Sequence, residues 1–281
     1  LKLSVMKSLL TRDALNPGVR LREVFGWAMY DFANSGYTTV VITAVFAAYF
    51  VGGVAQGAPW ATLAWTVGLS ISYAIVMLTM PGLGAWADRT AGKKRLLMVV
   101  TAACVLSTAA LACVGPGQVV LGLCLLIVSN TFFSFGESLT ASFVPELARP
   151  EAMGRVSGWG WALGYIGGML TLGVCLAYVL AAQARGESGS QFVPVTMLIT
   201  AVVYGAAACV TFALMKEHSP PQPDAPVVGM LQSLRQLKQT FRDARPYKDF
   251  TRLMACAVAY QGGVAVAISL AAIYAEQVIG F

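Results

Sequence analysis

The chain has 281 residues, 57% of them hydrophobic and only 11% charged, with a mean hydropathy of +0.69. Soluble domains carry about 25% charged residues and disordered chains are poor in apolar ones, so both classes are excluded. The net charge of +6 does not point to nucleic acid, because in so apolar a chain basic residues serve to hold loops on the cytoplasmic side of a membrane.

A polytopic, all-α membrane protein remains. A membrane-crossing helix needs roughly 20 apolar residues, and charge-free runs of that length recur without the period-2 alternation of barrel strands. A basic cytoplasmic arm, 1–23, leads into span 1 at 24–52. Span 2 is predicted at 61–87, span 3 at 96–115, span 4 at 119–143, span 5 at 156–182 and span 6 at 192–215. These six spans make one bundle, 24–215. A linker, 216–250, opens with Pro220, Pro221, Pro223 and Pro226, then repeats Leu231, Leu234, Leu237 and Phe241 at helical spacing among basic residues. That pattern predicts an amphipathic helix on the inner surface. A seventh span runs through 251–281 and begins a second bundle, so the chain reads as incomplete at its C-terminus.

Lys and Arg set the orientation. The arm holds five, the loop after span 2 four, the loop after span 4 two and the segment 216–252 seven, against one in the other three loops. The N-terminus is therefore expected in the cytoplasm. Trp60 and Trp65 fit the outer interface, and Trp27, Trp86, Trp159 and Trp161 the inner one. The six cysteines lie in apolar stretches without a CxxC pair and read as small buried hydrophobes, not as a metal site. No cofactor or metal is expected.

Ionisable groups inside a membrane are costly and normally face a cavity or a partner. Asp31 lies about 10 Å inside the inner end of span 1, and Glu137 about 9 Å inside that of span 4, at 1.5 Å per residue. Asp31, Asn34, Ser35 and Thr38 share one face at i, i+3, i+4 and i+7. Asn130, Ser134 and Glu137 form a similar stripe in span 4. Spans 1–6 contain no Lys, Arg or His, so these acids are protonated, solvated, paired with something missing from this chain, or paired with substrate. Proton handling, direct binding of a substrate amino group, and helix packing all stay open. In span 5, Gly160, Gly164 and Gly168 form a small-xxx-small ridge that lets another helix approach closely.

The loop after span 2 reads Gly84-Ala-Trp-Ala-Asp88-Arg89-Thr-Ala-Gly92-Lys93-Lys94-Arg95. As bare chemistry it is a tight basic turn whose Asp88 can cap a helix or pair with a nearby Arg. It resembles the signature of the major facilitator superfamily between spans 2 and 3. Gly84, Ala87, Asp88 and Arg89 match in place, and Gly92, Lys93 and Lys94 match after one extra residue. Tyr30-Asp31-Phe32-Ala33-Asn34-Ser35, Pro145-Glu146-Leu147, Gly154-Arg155-Val156-Ser157-Gly158 and Ala162-Leu163-Gly164-Tyr165-Ile166-Gly167-Gly168 narrow the resemblance. They are similar to the vacuole-effluxer branch, the autophagy-related 22-like transporters and their bacterial relatives. The branch often reads Tyr-Asn-Asp-Gly in span 7, where this chain has Tyr260-Gln261-Gly262-Gly263. That acid is not carried over.

The resemblance implies a six-plus-six helical transporter of which this chain holds the first bundle, the linker and span 7. Spans 1, 4 and 7 of the superfamily line its central cavity, which places Asp31, Asn34, Thr38, Asn130, Ser134, Glu137 and Gln261 on a substrate or proton route. Gly84, Asp88, Arg89, Gly92, Lys93 and Arg155 are implied to form a cytoplasmic gate. The implied activity is secondary active transport of a small, amino-acid-like metabolite by alternating access, with protons as a candidate coupling ion. The protein is expected as a monomer in a bacterial inner membrane. The alternative is a scaffold or receptor that does not transport. An enzyme is not expected, since no span holds the His of a Ser–His dyad or of a haem or zinc site.

Overall fold

A computed structural model describes residues 12–218, 239, 242–244 and 246–275. Seven of its helices are long and apolar enough to cross a bilayer. They are α1 (Leu21–Val54), α2 (Ala61–Thr90), α3 (Lys93–Ala110), α4 (Val119–Ala141), α5 (Met153–Ala184), α6 (Gly189–Leu214) and α7 (Lys248–Tyr274). Most run a few residues beyond the apolar stretches, because a helix continues past the hydrocarbon edge wherever polar side chains can reach water. The breaks between them are local. Ala91 (φ +47°) closes α2 in the left-handed region, with the Gly92 N–H donating to Ala87 at 2.9 Å. Gly117 and Gly186, both at positive φ, turn the chain before α4 and α6. Ser188 and Gln191 form a capping box at the start of α6. The amphipathic linker helix expected at 231–241 falls almost wholly outside the described residues.

Helix pairing obeys a simple rule. α1 packs chiefly on α5 and α6, α4 on α2 and α3, and α3 on α6. Exchanging α1–α3 with α4–α6 maps this scheme onto itself. With three short-looped helices in each set, their first members run in opposite directions, as in an inverted repeat. α7 lies along the middle of α1.

The α1–α5 seam explains the glycine ridge. A Cβ on Gly160 would meet the Trp27 ring at 2.7 Å, and one on Gly167 would strike the Phe32 backbone carbonyl. Two indole assignments are corrected. Trp65 is fully buried against Phe46 and Phe50, and Trp27 is buried with its Nε1–H donating to the Thr140 carbonyl at 2.9 Å. Both occupy the bundle-facing side of their helices, whereas Trp60, Trp86 and Trp161 are exposed. Cys104 and Cys175 are buried, but Cys113, Cys124, Cys209 and Cys256 face outward, where lipid is as apolar as a protein core.

Candidate functional site

The site begins with the backbone of α1. Over Thr38–Ala44 the helix widens to π geometry, a distortion that recurs at functional sites. Regular helical spacing brings Asp31, Asn34, Ser35 and Thr38 to one face. Thr39, four residues after Ser35 and donating its hydroxyl to the Ser35 carbonyl at 2.6 Å, continues that face into the widened turn, and Thr43 follows within it. With Phe133 and Glu137 of α4, Trp161, Tyr165 and Met169 of α5, and Ile268 of α7, they line a cavity of about 460 Å³. Two glycines make room for this stripe. A Cβ on Gly164 would lie 2.6 Å from Asp31 Oδ2 and 2.9 Å from Ser35 Oγ, and one on Gly168 would lie 3.0 Å from Thr39 Oγ1.

Asp31 is half-buried and Glu137 is exposed toward the cavity. Among the described residues neither has an ion-pair partner, and no Lys, Arg or His lines the cavity. Asn34 is held differently. Its Oδ1 accepts the Tyr204 hydroxyl at 2.7 Å, Tyr204 lies 3.3 Å from the Tyr30 hydroxyl, and Tyr30 bonds Thr101 Oγ1 at 2.8 Å. This buried chain ties α1 to α6 and α3 and fixes the wall behind the stripe. Leu172 also borders a larger, mainly apolar cavity of about 580 Å³, between α1, α5 and α6 near Gly52 and Gly189.

A second polar cluster sits where α2, α3, α4 and α6 end. Lys93 Nζ lies 2.9 Å from Glu146 Oε1 and 3.1 Å from Asp88 Oδ1. Both carboxylate oxygens of Glu217 accept backbone N–H groups at the start of α3, from Lys93 at 2.9 Å and Lys94 at 3.2 Å. That N-terminus leaves donors unsatisfied and favours an anion. His218 donates its backbone N–H to Glu146 Oε2 at 3.1 Å, and its Nε2 lies 2.6 Å from Glu23, whose side chain is only 2% exposed. The preceding arm is pinned to the same loop. Asn16 donates to the Pro145 and Glu146 carbonyls, and the Arg149 backbone N–H donates to Ala14.

The family model described as "Vacuole effluxer Atg22 like" matches residues 61–281. The chain belongs to that family. It is 29% identical over 258 residues to an uncharacterized MFS-type transporter of Bacillus subtilis, YxiO, covering 89% of this chain and 59% of the relative. It is 30% identical over 196 residues to the ectoine/proline transporter ProP of Corynebacterium glutamicum, covering 65% of this chain and 32% of the relative. The chain thus spans well under two thirds of the curated relatives it matches. No solved structure matches it.

In this vacuole-effluxer-like chain the structure gathers only some of the residues singled out from sequence. Asp31, Asn34, Thr38 and Glu137 share the cavity. Asn130 lies two turns away along α4, buried, with its Nδ2 donating to Ser72 of α2 at 2.5 Å. Ser134, one turn further along α4, is also buried, and Phe133 takes the cavity position instead. Gln261 is exposed on α7, two turns before Ile268, and does not line the cavity. At the other cluster Asp88 and Lys93 pair, while Arg89 and Gly92 lie at the same turn, Gly84 lies within α2 before it, and Arg155 is in the first turn of α5. Thr39, Thr43, Trp161 and Tyr165 were not singled out for the cavity, nor Glu23, Glu217 and His218 for the cluster. Glu146 and Tyr165 carried a sequence signal only as members of the motifs Pro145-Glu146-Leu147 and Ala162-Leu163-Gly164-Tyr165-Ile166-Gly167-Gly168, and Trp161 only as an interface residue.

Proposed function

We propose that the protein is a secondary active transporter. It moves a small, amino-acid-like metabolite by alternating access, with the cavity at Asp31 and Glu137 on the substrate or proton route and the N-terminus in the cytoplasm. The observation that carries the reading is the meeting of two intramembrane carboxylates at one cavity whose lining contains no base. Such groups are expensive in a membrane and persist where they handle a substrate, an ion or a proton. Family membership and the MFS-type relatives support it. The Lys93–Asp88–Glu146 cluster is the cytoplasmic gate in this reading, broken when the site opens inward.

The test is uptake by the full-length protein in proteoliposomes, starting with ectoine and proline, the solutes in the name of the Corynebacterium relative. If the acids carry protons, Asp31→Asn abolishes pH-driven uptake but keeps substrate exchange. If they bind substrate, both are lost. Uptake that survives Asp31→Asn and Glu137→Gln at every pH removes the acids from the mechanism, whereas no uptake of any solute by the unaltered protein favours a scaffold or receptor. Cysteines introduced at Gln56 and Gly189 should label from outside, and one at Thr90 from inside.

A further inference from the structure

The cavity wall is asymmetric in its chemistry. On α1 and α4 it offers two carboxylates, Asp31 and Glu137. On α5, one helical turn apart, it offers Trp161 and Tyr165, whose rings meet edge to face at 6.2 Å and 71°. Both rings are about two thirds exposed, at 65% and 66%. Neither is needed to fill the core, yet both border the cavity. Phe133 closes it from α4 and is itself held by stacking on Tyr37 at 4.6 Å. The hydroxyls of Thr38, Thr39 and Thr43 add acceptors but no charge.

Resting on the transporter reading above, we infer that this wall is a subsite for an alkylated ammonium headgroup. Carboxylates attract any cation. The aromatic faces discriminate further, because ring quadrupoles reward a cation that sheds its water easily, and a methylated ammonium does so far more readily than a primary one. A carboxylate or phosphate would meet like charge here and find no basic partner among the lining residues. The cavity, at about 460 Å³, is within the range of small-molecule sites. The headgroup would sit between the acids and the Trp161–Tyr165 edge, leaving the rest of the substrate to be recognised elsewhere.

The test compares three ligands on the purified full-length protein: choline, its primary-ammonium analogue ethanolamine, and its neutral isostere 3,3-dimethylbutan-1-ol. Binding is read as ligand-dependent thermal stabilisation and as quenching of tryptophan fluorescence. Choline should bind saturably, ethanolamine about tenfold more weakly, and the neutral alcohol not measurably. Trp161→Leu, at an exposed position, should weaken choline by about tenfold while leaving the unliganded melting temperature unchanged. Asp31→Asn combined with Glu137→Gln should weaken it further. Equal binding of the neutral alcohol, ethanolamine as tight as choline, or no effect of Trp161→Leu would overturn the inference, and the ligand series does so without any variant having to fold. If choline fails while uptake of another solute depends on Asp31 or Glu137, only the headgroup assignment falls. If uptake occurs but depends on neither acid, the cavity's place on the route falls along with the headgroup assignment, and if the protein takes up no solute the transporter reading falls with them.

Discussion

Replacing Lys93 by Met removes the cation from the Asp88–Lys93–Glu146 cluster while keeping its aliphatic bulk. Two carboxylates lose a partner, and they do so unequally. Asp88, with its side chain 50% exposed, is resolvated by water, so its share is that of a surface pair, about 1 kcal/mol or less. Glu146, 9% exposed and 2.9 Å from Lys93 Nζ, loses a charge-assisted hydrogen bond in a nearly dry site, about 1.5–3 kcal/mol. It keeps the His218 backbone N–H at 3.1 Å, which holds the cost below that of a wholly orphaned buried charge. The total is about 2–4 kcal/mol. Unfolding in mixed micelles, monitored by helical circular dichroism, measures it. The decisive quantity is the coupling in a double-mutant cycle with Glu146→Gln, expected at about 1.5–2 kcal/mol. Costs that simply add, to within about 0.5 kcal/mol, would refute the pairing and leave Lys93 a topology signal alone.

Glu217→Gln should cost about 1–2 kcal/mol by the same unfolding measurement, since it discharges the carboxylate that caps α3 through two backbone N–H groups. Gly167→Ala should destabilise by about 1–3 kcal/mol, because its new Cβ would press on the rigid backbone at Phe32. Gly158→Ala meets nothing within 4 Å and should be neutral or stabilise by up to about 1 kcal/mol through helix propensity; equal melting temperatures for these two variants would contradict the α1–α5 seam. Tyr204→Phe should cost about 1–2 kcal/mol by leaving Asn34 Oδ1 without its 2.7 Å donor, and a variant as stable as wild type would show that the buried hydroxyl chain does not support the wall.

The number of spans, their order and the shared level of the two acids along their helices were legible in the residues, because each depends on a local property. Bilayer thickness sets how long a charge-free run must be, and helical rise converts the positions of Asp31 and Glu137 into matched depths. Even the Gly160, Gly164 and Gly168 ridge was readable, since a stripe of missing side chains announces a close neighbour without naming it. That the neighbour is α1, and that Gly164 faces Asp31 itself, required the packed bundle. Azimuth is the missing quantity. A hydropathy run says that a residue lies in the membrane but not toward which helix it points, so Trp65 read as an interface anchor and is buried against Phe46 and Phe50. Ser134 read as part of a polar route, and Phe133 holds that place. Thr43 lines the cavity from within the widened turn at 38–44, a backbone choice that no single side chain in that apolar run dictates. The partners of Lys93 and Glu23 are the most remote from sequence. Glu146 lies 53 positions from Lys93 and His218 lies 195 from Glu23. They meet because the helix pairing brings the ends of α1, α3, α4 and α6 to one surface, where charge selects its partner by distance through space.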